Sequence, residues 1–268
     1  MTDLRLQPAQ PIRICGHRGD MRHAPENTLA ALRRARAHGA AACEIDIRLT
    51  ADGGLVLMHD ATLDRTTDGI GPVAAQTLAA LRRRDAGLRF SPEYAGEPIP
   101  SLAAAIAMAR EIGLVLRVEL KDWHQDDALF AALRNTIDEP STAPIVLCSF
   151  DHRQLAALKR TLPGVSTMGI LYGRPADLVG LARSADLDGV SVQAPAMADD
   201  DIQALHAAGF AISCYCPMAE ADSGPESSLS KLRRWAAARW IDMITVDDVA
   251  WLGERLASDT AGGPVPTL

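Results

Sequence analysis

The sequence predicts a (β/α)8 TIM barrel carrying a small insertion subdomain. Three observations point there. Short apolar runs alternate with amphipathic helical segments about eight times across the 268 residues, which implies a parallel sheet with helices packed on it. That number of steps at that length fits a closed barrel better than an open doubly wound sheet. No Gly-x-Gly-x-x-Gly motif follows the first apolar run, which weighs against a dinucleotide-binding fold.

The steps run in order. A β-like run over 11–16 (PIRICG) ends at His17. A helix over 27–38 has start signals in Pro25-Glu26-Asn27-Thr28 and a stop at Gly39. Residues 42–49 alternate as a strand, Asp52-Gly53-Gly54 is a turn, and 55–58 is a short strand that delivers His59. Residues 61–100 are rich in Gly, Pro and Thr, with one helix near 76–83, and read as an excursion from the barrel. The alternation then resumes, with helices over 102–112, 126–137, 152–161, 176–184, 199–208 and 229–238. The strands that follow them are 114–121, 144–150, 166–172, 188–193, 211–215 and 242–246, and a last helix covers 249–257. The resulting organisation is an N-terminal arm (1–10), one barrel domain (11–257) and a disordered tail (258–268).

Composition narrows the function. Lys+Arg number 27 against 34 Asp+Glu, a net charge of −7, so a nucleic-acid partner is not expected. Hydrophobic residues make up 48% without an apolar run of membrane-spanning length, so no stable membrane insertion is expected. The first residues show no basic stretch followed by an apolar one, and a cytoplasmic location is the expectation. The five cysteines are odd in number, and four sit in apolar runs, as reduced core cysteines do. Oligomeric state is not legible.

Side-chain parity finds the polar site. On 42–49, Cys43, Ile45 and Ile47 share one strand face, and Glu44, Asp46 and Arg48 the other. On 114–121, Val118 and Leu120 oppose Arg117, Glu119 and Lys121. The outer face of a barrel strand packs on helices and must be apolar, so the polar sets point inward, toward the mouth at the C-terminal strand ends. Glu44, Asp46 and Glu119 should therefore converge with Arg48 and Lys121. Three carboxylates together repel one another, and a hard cation such as Mg2+ or Ca2+ relieves that repulsion. A buried salt-bridge network among Glu44, Asp46, Glu119, Arg48, Arg117 and Lys121 would use the same residues. His17 and His59 flank this strand and suit acid–base work near neutral pH. Arg18 carries a guanidinium that grips phosphate oxygens in pairs.

These residues fall in a recognisable order. His17-Arg18-Gly19, Pro25-Glu26-Asn27-Thr28, Glu44-Ile45-Asp46, Asp52-Gly53, His59-Asp60, Leu63-Asp64-Arg65-Thr66-Thr67 and Glu119-Leu120-Lys121 resemble the glycerophosphodiester phosphodiesterase family. The similarity extends through Ser149-Phe150-Asp151 to the last strand. It implies a barrel with an inserted subdomain, and a divalent metal on Glu44, Asp46 and Glu119. It implies His17 and His59 as general base and acid, and Arg18 and Lys121 on the phosphate. It also implies a small-molecule substrate, with Phe150 and Tyr215 beside it. The family splits glycerophosphodiesters into sn-glycerol 3-phosphate and an alcohol. The glycerol 2-hydroxyl attacks phosphorus, the leaving alcohol is protonated, and water opens the cyclic phosphate.

Departures lie around the mouth. The Trp-Thr-Val-Asn-like run usual near the seventh strand is replaced by Ile212-Ser213-Cys214-Tyr215-Cys216-Pro217, with Tyr215 in place of the tryptophan. Residues 218–230 form a longer connection than usual, and the last strand reads Thr245-Val246-Asp247-Asp248 without the usual flanking glycine and proline. These bear on the head group more than on the reaction. A lysophospholipase D-like activity at the same site is the rival reading, and a non-catalytic barrel binding a phosphorylated ligand is a second.

Overall fold

A computed structural model describes residues 4, 5, 7, 10–137, 144–218 and 227–258. Most of the arm expected over 1–10, nearly all of the tail expected over 258–268, and the centre of the long 218–230 connection lie outside the described residues. Of the arm, Leu4 is buried among Val146, Cys148, Met168 and Ala211 in the barrel floor.

Eight parallel strands close on themselves. They are β1 (Arg13–Gly16), β2 (Ala42–Leu49), β4 (Val115–Leu120), β5 (Ile145–Ser149), β6 (Ser166–Ile170), β7 (Gly189–Gln193), β8 (Ala211–Tyr215) and β9 (Met243–Val246). Each pairs with the next in this order, and β1 pairs with both β2 and β9, which leaves no open edge among them. The short β3 (Leu55–Leu57) pairs antiparallel to β2, as the Asp52-Gly53-Gly54 turn requires.

The helices are α1 (Leu29–Ala37), α2 (Leu78–Leu81), α3 (Leu102–Ile112), α4 (Asp126–Thr136), α5 (His152–Thr161), α6 (Leu178–Ser184), α7 (Asp199–Ala207), α8 (Ser228–Ala237) and α9 (Val249–Ser258). Their starts follow capping chemistry, because the first backbone amides of a helix need an acceptor. Thr28 Oγ1 accepts from the Ala31 amide at 3.2 Å, and Asp151 Oδ1 from Arg153 and Gln154 at 3.0 and 3.1 Å. Helix α1 begins two residues later than the sequence suggests, because Asn27 has a positive φ of 57° and cannot belong to it. Helix α3 stops at Gly113, whose φ of 65° suits a residue without Cβ.

Strand parity divides the sheet into two packing layers. Cys43, Ile45, Ile47, Leu116, Val118 and Leu120 lie in the large apolar cluster formed with the helices. On the inner face the floor is apolar, with Cys15, Ala42 and Met243 packed together. All five cysteines are buried and none is in a disulfide. Between β3 and α3, a separate apolar cluster of Val56, Met58, Leu63, Val73, Leu81, Ala86 and Ile99 holds the excursion together. No helix among the described residues is long and apolar enough to cross a membrane.

Candidate active site

The site begins where β1 ends. A Cβ on Gly16 would lie 2.5 Å from the Gly19 carbonyl oxygen, so only glycine lets the chain fold back this tightly. The turn holds Arg18 at φ 53° and Gly19 at φ 84°. An arginine in the left-handed region is uncommon, and such strain gathers at functional sites. Its effect here is visible: the Arg18 amide donates to Glu44 Oε2 at 3.1 Å, while its carbonyl accepts from Asn27 N at 3.0 Å.

Strands β2 and β4 supply the carboxylates. Their register sets Asp46 opposite Glu119 and Glu44 opposite Arg117. Glu44, Asp46 and Glu119 are all buried, with ligand oxygens within 4.8 Å of one another. Asn27 fixes Asp46 from two sides: Nδ2 donates to Oδ2 at 2.8 Å, and the Asp46 amide donates to Asn27 Oδ1 at 2.9 Å. Lys121 Nζ lies 2.7 Å from Glu119 Oε1 and 3.3 Å from Asp46 Oδ1. Arg18 Nε is 3.3 Å from Asp46 Oδ2.

The three carboxyls titrate differently. Burial and then the charge of Asp46 push Glu44 up to about 8. Glu119 is raised by the same two causes. Burial would raise Asp46 too, but Lys121 and Arg18 outweigh it and hold Asp46 below the usual carboxylate range. Glu44 Oε1 is buried with no hydrogen-bond partner. An orphaned carboxylate oxygen beside two other carboxylates is the donor set a hard divalent cation takes up, so these residues fit one.

Two histidines flank this trio. His17 Nδ1 donates to Asp247 Oδ1 at 2.7 Å, and its Nε2 is 3.9 Å from Glu44 Oε2. His59 Nδ1 donates to Asp60 Oδ1 at 2.7 Å. A carboxylate only accepts, so each Nδ1 carries a proton and each Nε2 is the nitrogen left to exchange one with a substrate. Burial opposes charging His17, but the Asp247 hydrogen bond and the Glu44 charge outweigh it and raise its pKa. His17 reaches the trio from the end of β1, and His59 from the end of β3, where the preceding Met58 amide donates to the Asp46 carbonyl at 3.0 Å.

A chain of charge-assisted bonds joins the two halves. Asp60 accepts from Arg65 Nε at 2.7 Å, Arg65 donates twice to Glu26 at 2.7 and 2.8 Å, and Glu26 accepts from Arg18 Nη1 at 2.9 Å. Below the trio, the buried Arg117 donates to Ser213, Thr245 and Ser191 at 2.8, 2.7 and 2.9 Å. A cavity of about 210 Å³ opens above it. His17, Glu44 and Glu119 form its polar side, and Phe150, Ile170, Leu171 and Val192 an apolar one. Tyr215 closes one wall, its ring 5.1 Å from that of His17 and its hydroxyl donating to Asp247 at 3.3 Å.

Each site residue expected from sequence reaches this region: His17, Arg18, Glu44, Asp46, His59, Glu119, Lys121, Phe150 and Tyr215. Arg48 is a correction. It does not converge on the carboxylates; it donates to the His59 carbonyl at 3.0 and 2.8 Å and to Asp122 Oδ1 at 2.9 Å. It lies one step past Asp46 toward the strand end, where the β2–β3 hairpin brings that carbonyl within reach. Asn27, Glu26, Arg65, Asp60 and Asp247 take roles here that strand parity does not predict. Asp247 had one available signal, its inward phase with Thr245 and Met243 at the end of the last strand.

The family model of the glycerophosphoryl diester phosphodiesterase family matches residues 17–250. A glycerophosphodiester phosphodiesterase of Caldanaerobacter subterraneus is 35% identical over 164 residues, 59% of this chain and 66% of the relative. The human glycerophosphodiester phosphodiesterase 1 is 36% identical over 159 residues, 58% of this chain and 48% of the relative. The match thus spans about half to two-thirds of the length of these curated relatives. Among solved structures, a phosphodiesterase from Oleispira antarctica in complex with the product sn-glycerol-3-phosphate is similar with a TM-score of 0.80. It is 27% identical, over 93% of this chain and 97% of that one. A glycerophosphodiester phosphodiesterase from Agrobacterium tumefaciens superposes with a TM-score of 0.72 at 26% identity, over 91% of this chain and 99% of that one.

Proposed function

This chain belongs to the glycerophosphoryl diester phosphodiesterase family, and from that premise we propose that it hydrolyses glycerophosphodiesters to sn-glycerol 3-phosphate and an alcohol with a divalent metal. The observation that carries the reading is the convergence of Glu44, Asp46 and Glu119 between two histidines, each held by its own carboxylate.

Glu44, Asp46 and Glu119 would hold the cation, Mg2+ or Ca2+, and when bound it supplies Lewis-acid charge to the phosphoryl oxygens. The chain's own residues do the rest. Arg18 and Lys121 place two fixed positive charges at the rim of the trio, where developing phosphoryl charge is neutralised. His17 Nε2 takes the proton of the glycerol 2-hydroxyl as its oxygen bonds phosphorus. The bond to the leaving alcohol breaks, and His59 donates a proton to that oxygen. Water then attacks the cyclic phosphate: His59, now neutral, accepts the water proton, and His17 returns its proton to the 2-oxygen. Asp247 and Asp60 hold each ring in the tautomer this exchange needs.

A second reading shares the site. The apolar side of the cavity, Phe150, Ile170, Leu171 and Val192, suits the hydrocarbon of a lysolipid as well as a small polar alcohol. Release of glycerol 3-phosphate from glycerophosphocholine tests the main proposal. Excess EDTA should abolish it and Mg2+ or Ca2+ restore it; full activity in excess chelator overturns the metal assignment. A panel of head groups and lysolipids run alongside decides between the two readings.

A further inference from the structure

On the outside of the barrel, we propose that Asp20, His23 and His38 form a second metal site, suited to a borderline divalent cation such as Zn2+. They come from two places: Asp20 and His23 from the turn after β1, and His38 from the residue that caps α1. Their ligand atoms lie within 4.8 Å of one another. His23 Nδ1 is 3.2 Å from Asp20 Oδ1, and His38 Nδ1 is 2.6 Å from Asp20 Oδ2. The rings meet edge to face with centroids 5.7 Å apart, and each turns its Nδ1 toward the Asp20 carboxylate. A fourth donor stands nearby, Asp248 Oδ1, at 3.8 Å from His23 Nδ1. In a tetrahedral zinc site with bonds of about 2.0–2.2 Å, neighbouring ligand atoms are roughly 3.3–3.6 Å apart. The two His23 spacings bracket that range, and His38 would have to move out from its 2.6 Å hydrogen bond to Asp20.

Charge and chemistry favour a cation here. Asp20 is fully buried, and no lysine or arginine among the described residues forms an ion pair with Asp20 or Asp248. Asp20 and Asp248 set two carboxylates beside these rings, a charge that one divalent ion matches. Two nitrogens with one or two oxygens suit Zn2+, whereas the all-oxygen trio in the barrel suits Mg2+ or Ca2+. The site is also built. Asp20 is pinned by its amide to the Ala31 carbonyl at 3.1 Å, and the histidine side chains, 35% and 27% exposed, leave a path for the ion. Bound there, the ion would clamp the His17–Arg18 turn to the end of α1 and the start of α9. Asp248 lies next to Asp247, the acceptor for His17, and the Arg22 amide donates to the Asp247 carbonyl at 3.1 Å.

The plain alternative is a hydrogen-bonded triad in which Asp20 accepts from both imidazoles. Co2+, as a visible probe for Zn2+, separates the two. The full chain is stripped with chelator, with Glu119→Gln introduced to cripple the barrel site, and titrated with Co2+. A saturable site with the intense visible bands of tetrahedral nitrogen ligation is expected. It should weaken by about 100-fold when His38→Asn, which keeps a donor for Asp20, or His23→Gln is added. Zn2+ should raise the melting temperature of Glu119→Gln but not of these double variants, whose metal-free melting shows that they fold. No saturable Co2+ binding in folded Glu119→Gln, or identical spectra in the histidine variants, overturns the proposal.

Discussion

Glu44 and Arg117 sit opposite each other in the β2–β4 register, both buried, yet Arg117 donates hydrogen bonds to Ser191, Ser213 and Thr245. Glu44 Oε1 is left without a partner. The guanidinium therefore lowers the cost of a charged Glu44 through space without occupying the oxygen a metal would use. Arg117→Met keeps the volume roughly and removes the charge. Divalent-metal affinity, measured by calorimetry, should fall by about 10–100-fold, as it does when groups supporting a ligand are lost. Unchanged affinity would show that Arg117 only fills space.

The raised Glu44 makes metal-free stability depend on pH with a defined sign. A carboxyl at about 8 in the folded chain, against an ordinary value of 4.5, binds a proton that the unfolded chain has lost in that window. Its stabilising contribution is complete below 4.5 and is lost as pH rises toward 8. Glu119 and His17, also raised, act in the same direction. The melting temperature of chelated protein should therefore decline between about pH 5 and pH 8. Mg2+ or Ca2+ should flatten that decline, because the ion holds the carboxylates ionised. A melting temperature that climbs across the window without metal would contradict this assignment.

Period-two patterning made the barrel and the trio legible. Glu44, Asp46 and Glu119 were placed correctly because the helix-packed face of a barrel strand must be apolar. The residues that hold them were not legible for an equally physical reason. Asn27 reaches Asp46 only because its backbone takes a positive φ, and in sequence it looked like the start of a helix. Asp247 meets His17 only because β9 closes on β1, a contact 230 residues apart along the chain. Arg48 has inward parity, but a hairpin carbonyl outcompetes the carboxylates for it.

The histidines should respond separately. His17→Ala and His59→Ala should each lower turnover by about 10²–10⁴-fold if they move protons. Asp247→Asn is more informative than either. It removes the Asp247 charge and leaves at most a neutral hydrogen bond where a charge-assisted one raises the His17 pKa, so the limb of the kcat/KM profile set by His17 should move to lower pH. A drop in rate with an unmoved profile would mean that Asp247 only orients the ring.

Glu26 offers the last test, because it is the link between the two halves of the site. It lies below the usual carboxylate range: burial opposes this, but the hydrogen bonds from Arg65 and the charge of Arg18 outweigh it. Glu26→Gln keeps the shape and removes the charge that both guanidiniums share. Arg65 remains tied to Asp60, so His59 should keep its support. Among the described residues Arg18 then keeps only Asp46 as an ion-pair partner, and it should hold the phosphate less firmly. Losing one charge-assisted anchor of about 1.5–3 kcal/mol corresponds to a rise in KM of roughly 10–100-fold. The expected signature is a raised KM with turnover changed far less. If turnover fell as far as in His59→Ala while KM stayed put, Glu26 would be supporting the proton transfer through Arg65 and Asp60 instead of positioning Arg18.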